Sequence, residues 1–116
     1  MKGDELAERL LVFGANVVRL CDDVKGSVAG RHIVRQLIRA ASAGGAIYEE
    51  ARGAESRADF IHKIAMATKE ARESLYWLNL IERSALATGP RLLGLVDEAR
   101  QLVAIFTASG KTARRG

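Results

Sequence analysis

Leu6, Leu10, Phe13, Val17, Leu20 and Val24 follow one another at alternating steps of four and three residues. That spacing puts all six on one face of an α-helix and leaves the intervening polar residues on the other. Such a helix must find an apolar partner, and the same chain offers three. From about Gly30 to Ala51, one stripe carries Ile33, Leu37, Ala40, Gly44 and Ile47. A neighbouring stripe carries Val34, Ile38, Ala41, Gly45 and Tyr48, so this segment is apolar over a broad surface. From Ser56 to about Leu86, residues Phe60, Ile64, Ala67, Ala71, Leu78 and Ile81 face one way. The last segment opens near Pro90, a residue suited to a first helical turn, and carries Leu92, Leu95, Val96, Ala99, Leu102, Val103 and Phe106.

No stretch alternates with a period of two, so strands are unsupported. The pattern predicts an all-α chain: one domain, residues 1–116, folded as an antiparallel up-and-down four-helix bundle. The expected helices span about 4–24, 30–51, 56–86 and 90–109, with a frayed basic tail at 110–116. Gly26 is the expected stop of the first helix. Gly53 is expected to supply a left-handed turn after the second. Ser56 is placed to cap the third helix, with Asp59 in the Glu/Gln position of a near capping box.

A 48% hydrophobic content is enough for a core, and aromatic residues make up only 5%. The single cysteine, Cys21, excludes an internal disulfide and a thiolate zinc cluster, and reads as a small helix residue. The amino-terminal "MKGDELAERLLVFG" is charged and amphipathic, unlike a signal peptide. No apolar run approaches the ~20 residues that span a bilayer. A soluble, cytoplasmic protein without membrane contact is the expectation.

The net charge of +4 is unevenly spread. Residues 25–52 hold five Lys and Arg against two Asp and Glu, and residues 85–116 hold the same excess. Residues 1–24 are net negative and 53–84 are balanced. Arg31, Arg35 and Arg39 recur every four residues as a basic ridge that suits successive phosphates, without base specificity. Lys111, Arg114 and Arg115 are the matching candidates at the carboxy-terminal end. No aromatic residue is interleaved with the ridge, and no recognition-helix signature names a DNA-binding fold.

"AASAGGA", Ala40 to Ala46, strings small residues through the second helix. Two glycines inside a helix cost about 1 kcal/mol each against alanine, so Gly44 and Gly45 ask for a close backbone contact in return. The approaching backbone belongs either to the same bundle or to another subunit. Trp77, beside Glu70 and Glu73, reads as an interface or core-edge anchor. Glu73 is expected to pair with Lys69, and Glu70 with Arg72 of a neighbour or with Lys63 of its own helix.

The stretch "YEEARGAESRADFIHK", Tyr48 to Lys63, looks busiest in chemical terms. Asp59 and His62 have the spacing of a carboxylate–histidine metal pair. A di-metal bundle needs two such units, and His32 has Ala29 where the second acid would stand. Ser56 and Ser74 lack the context of a nucleophile. No catalytic residue, metal, cofactor or small-molecule substrate is expected, and the stretch reads as an interhelical corner.

Gly30 to Ile81 resembles the four-helix-bundle family named after 23S rRNA intervening sequences. Glu50 and Ala51, then Ser56, Asp59, Phe60, Lys63, Ala67, Glu70, Glu73 and the Trp77–Leu78 pair carry the likeness. Ala41, Ala43 and Ile47 stand where relatives often have Ser and Asn, which counts against a polar site there. The resemblance implies a homo-oligomer, a ring of five subunits, and some relation to nucleic acid. A similar bundle is the accessory variability determinant of diversity-generating retroelements. It implies no catalytic residues. The functional expectation is therefore a non-enzymatic oligomeric scaffold binding RNA or DNA through basic surface. The alternative is a protein-binding adaptor without nucleic-acid contact.

Overall fold

A computed structural model of residues 1–116 contains four helices: α1 (Gly3–Cys21), α2 (Val28–Arg52), α3 (Arg57–Arg83) and α4 (Pro90–Arg115). Each packs on its neighbours around a square, and the diagonal pairs α1/α3 and α2/α4 are not in close backbone contact. Cross-helix ion pairs give the direction: Arg39 meets Glu70 and Glu73, whereas Glu50, further along α2, meets Lys63, earlier in α3. Numbers that run oppositely mark antiparallel helices. Arg9 of α1 reaches Glu98 of α4 at 2.6 Å and closes the square. The result is the expected four-helix bundle, 46 Å long and about 20 Å across.

The core is built from the stripes that the sequence shows. Leu6, Leu10, Phe13, Val17 and Leu20 of α1 are buried, as are Ile33, Leu37 and Tyr48 of α2. Ile64, Leu78 and Ile81 of α3 meet Leu92, Leu95, Leu102 and Phe106 of α4 in the same cluster. Ser74 is the one buried polar side chain, and its hydroxyl donates to the Glu70 carbonyl at 2.9 Å. No buried side-chain nitrogen or oxygen lacks a partner, so the interior carries no polar penalty.

The helix ends depart from expectation. α1 stops at Cys21, well short of Gly26, in a right-handed conformation at Asp22. Asp22 and Asp23 sit at the negative end of the helix dipole, where acids are unfavourable. α2 starts at Val28, not Gly30, because the Ser27 hydroxyl accepts the Gly30 amide at 3.0 Å. Gly53 has φ −100°, so the turn after α2 is not left-handed. Ser56 does cap α3, accepting the Asp59 amide at 3.0 Å. Asp59 reaches back to the Glu55 amide at 3.4 Å, one residue before the cap.

α3 ends at Arg83, where Ala85 takes a left-handed φ of 55°. The Leu86 amide then bonds the Ile81 carbonyl and the Ala85 amide the Glu82 carbonyl, the double closure of a Schellman motif. α4 begins with Gly89, at φ 106°, before Pro90. It continues to Arg115, so residues 110–115 are helix and not a frayed tail. The reason lies on another helix: Arg57 donates to the Ala113 carbonyl at 2.7 Å and the Arg114 carbonyl at 3.3 Å. It thereby satisfies acceptors that the end of α4 leaves open.

Candidate interaction surfaces

The arginine ridge of α2 is split by its surroundings. Arg39 reaches across to α3, where one guanidinium nitrogen meets Glu70 at 3.2 Å and another meets Glu73. Glu73 also accepts the Trp77 indole N–H at 3.0 Å. The indole first, and then the guanidinium, hold the Glu73 carboxyl below its usual range. Arg39 is therefore engaged within the chain, while about half of its side chain stays exposed. The pairs expected along α3 are not the ones formed, since Arg39 takes both glutamates and Lys63 meets Glu50 at 2.7 Å. Arg31 and Arg35 are exposed and form no ion pair. Arg31 does give one bond to the Gly26 carbonyl, at 3.0 Å.

Lys111, Arg114 and Arg115 are exposed on the last turns of α4. They lie at the end of the bundle where α2 finishes, whereas Arg31 and Arg35 lie in its first turns. The two basic groups thus occupy opposite ends of a 46 Å molecule and do not form one patch.

The small-residue stripe of α2 is used inside the chain. A Cβ on Gly44 would meet the Glu70 Cβ of α3 at 3.7 Å, and one on Gly45 would meet the Leu10 Cβ of α1 at 3.6 Å. Gly44 is buried, so the backbone approaching it belongs to the same bundle. Gly45 has a second role, because it also lines an open groove of about 780 Å³ between α1 and α2. The floor is small, with Gly14, Ala15, Ser42, Gly45 and Ala46, and Leu11, Val18 and Ile38 stand along it. Leu11 is 70% exposed and Val18 58%. Asp4, Glu8, Glu49 and Arg52 charge one end.

Trp77 is half-buried against the core edge. Its ring stands edge-on to His32 of α2, 6.0 Å between centroids, and to Tyr76, at 5.0 Å. Neither Tyr76 nor the Leu11–Val18 row stands out in a reading that seeks one apolar face per helix. The row was nonetheless visible, since Ala7, Leu11, Gly14 and Val18 repeat the four-and-three spacing beside the core stripe.

The Tyr48–Lys63 stretch forms the corner between α2 and α3. Asp59 serves the helix start, and no group of three His, Cys, Asp or Glu side chains is arranged to hold a metal. Cys21 donates to the Val17 carbonyl at 3.1 Å, and burial raises its thiol pKa, which keeps it protonated. No helix is long and apolar enough to cross a membrane.

No curated protein sequence matches the chain. A solved structure does. It is the crystal structure of a protein of unknown function from the S23 ribosomal protein family of Bacteroides thetaiotaomicron. The two superpose with a TM-score of 0.83 at 29% identity, over 96% of this chain and 99% of that one. The family model for the 23S rRNA-intervening sequence protein matches residues 6–108, from the first core leucine of α1 into the last turns of α4. With four helices in that order and a match across nearly all of them, this chain belongs to the 23S rRNA-intervening sequence protein family.

Proposed function

We propose that the chain is a non-enzymatic, homo-oligomeric scaffold whose copies pack through the α1/α2 groove and which holds RNA or DNA on its basic surface. The observation that carries the self-association is the groove itself. A seven-residue repeat of large apolar side chains, Leu11 and Val18, flanks a floor of glycine, alanine and serine. Exposed apolar surface of this kind marks a contact site, and the small floor admits a helix at close range. Five copies is the number that the family resemblance implies. The nucleic-acid part rests on Arg31 and Arg35, which no carboxylate neutralises.

Light scattering tests the assembly. The wild-type mass is expected to be a multiple of 12.6 kDa. Leu11→Glu combined with Val18→Glu is expected to reduce it to one copy while leaving the helical circular dichroism intact, because both side chains already face solvent. A wild-type protein of single-copy mass, or a double variant that stays assembled, defeats this role for the groove. The engagement of Arg39 by Glu70 and Glu73 favours a second reading, an adaptor that touches only proteins. Absence of any binding to RNA and DNA at physiological salt would select it.

A further inference from the structure

Within the arginine ridge the sequence offers one ring, His32, and the fold adds two more. His32, Trp77 and Tyr76 form a continuous patch across the outer α2/α3 seam, with interplanar angles of 87° and 78° at the two contacts. Trp77 is fixed at its centre by the bond to Glu73, and Glu73 is itself held by Arg39. Tyr76 stands at the edge, 58% exposed. It also lines a shallow cleft along α3 with Asn79, Leu80 and Arg83.

The charge around the patch is mostly uncompensated arginine. Arg35 follows His32 by one turn of α2, and Arg31 precedes it. Arg72 lies one turn before Tyr76 on α3, and Arg83 two turns after it. All four are exposed, and none is in an ion pair. Of the acids nearby, Glu70 and Glu73 share the single charge of Arg39, so one negative charge remains there besides Glu82 next to Arg83, against four unpaired arginines.

We infer that the α2/α3 face binds single-stranded nucleic acid, with an unpaired base stacking on Tyr76 at the edge of the fixed Trp77–His32 pair while Arg31, Arg35, Arg72 and Arg83 hold the flanking phosphates. This rests on the reading of the basic surface as a nucleic-acid surface, and adds to it the site and the single-stranded form. An exposed ring beside guanidinium groups suits a strand whose bases are free to stack, and every base has a face to offer. A duplex keeps those faces inside its own stack.

Trp77 is the only tryptophan, so its emission reports on the patch. The wild-type protein is titrated with end-labelled oligouridine and oligothymidine strands and with a duplex of equal length. Strand anisotropy and Trp77 emission are followed together. Single strands are expected to quench Trp77 and to bind more tightly than the duplex. Tyr76→Ala is expected to weaken single-strand binding by about tenfold, the effect of one lost stacked base. Tyr76→Phe keeps the ring and should bind as the wild type does. Arg35→Gln with Arg83→Gln should reduce the salt slope of log K by about 1.4, from ~0.7 per phosphate contact. The balance between the uridine and thymidine strands tells RNA from DNA, and tighter binding of either one supports the site. Single-strand binding that leaves Trp77 emission and the Tyr76→Ala affinity unchanged overturns the site but leaves the broader nucleic-acid reading standing. No binding of any strand or duplex overturns both.

Discussion

Replacing Gly30 with alanine is expected to break the corner between α1 and α2 and to lower the melting temperature by about 10 °C. Gly30 is buried in the first turn of α2. A Cβ there would run into the Lys25 carbonyl oxygen, a backbone atom with no rotamer to escape into, and would also crowd the Ser27 hydroxyl at 3.2 Å. Both groups hold the corner together. The Lys25 carbonyl accepts the Ser27 amide at 2.9 Å, and the Lys25 amide donates to Leu86 at 3.0 Å, which ties this corner to the one between α3 and α4. Ser27 caps α2 through the Gly30 amide. Moving Lys25 aside would loosen the cap and two backbone bonds, each worth about 1 kcal/mol, for a total of about 3 kcal/mol. Thermal unfolding followed by circular dichroism measures the loss. Gly26→Ala is the control, since a Cβ at Gly26 meets nothing within 4 Å. Equal melting of the two variants would show that the Lys25 carbonyl can move freely.

That corner also shows where sequence reading stops. The apolar stripes were legible because each helix must bury one face, and period alone reveals that face: Leu6, Leu10, Phe13, Val17 and Leu20 are all in the core. Helix ends were less legible because their determinants are often remote or unusual. α3 ends through Ala85 in a left-handed conformation that glycine would normally signal. α4 persists to Arg115 because Arg57, from the far side of the chain, serves its last carbonyls. Gly30 looked like a helix start, whereas its value lies in having no side chain beneath Lys25.

The surfaces follow the same division. A four-residue repeat exposed the ridge Arg31–Arg35–Arg39, but not that Glu70 and Glu73, more than thirty residues away, take up Arg39. The aromatic patch joins His32 to Tyr76 and Trp77, a juxtaposition that exists only once α2 and α3 lie antiparallel. Gly44 and Gly45 face α3 and α1 at ordinary contact distance for an added Cβ, and only the fold distinguishes those helices as their neighbours. Local periodicity fixes which residues share a face. The identity of the facing element is long-range information.

Phe106→Ala is expected to be the most damaging core truncation, at about 3–5 kcal/mol, a large share of the ~5–15 kcal/mol that holds a domain of this kind together. Phe106 is 0% exposed. Its ring lies 5.8 Å from that of Tyr48, tilted by 44°, and so spans the α2/α4 diagonal that the backbones leave open. The same core holds small residues, Ala51 and Ala67, on the other helices, and Gly110 follows one turn later on α4. Such residues cannot extend into a vacated ring volume, and the cavity should persist rather than collapse. Urea unfolding at one fixed protein concentration, which holds any contribution from self-association constant, measures the effect. The midpoint is expected to fall sharply at unchanged slope for Phe106→Ala, and by less than half as much for Phe106→Leu, which refills part of the volume. Thr107→Ala, on the exposed side of the same turn, should stay near the wild type. If Phe106→Ala unfolds with Thr107→Ala, the aromatic bridge across the bundle contributes nothing and α1 to α4 must hold together through their adjacent seams alone.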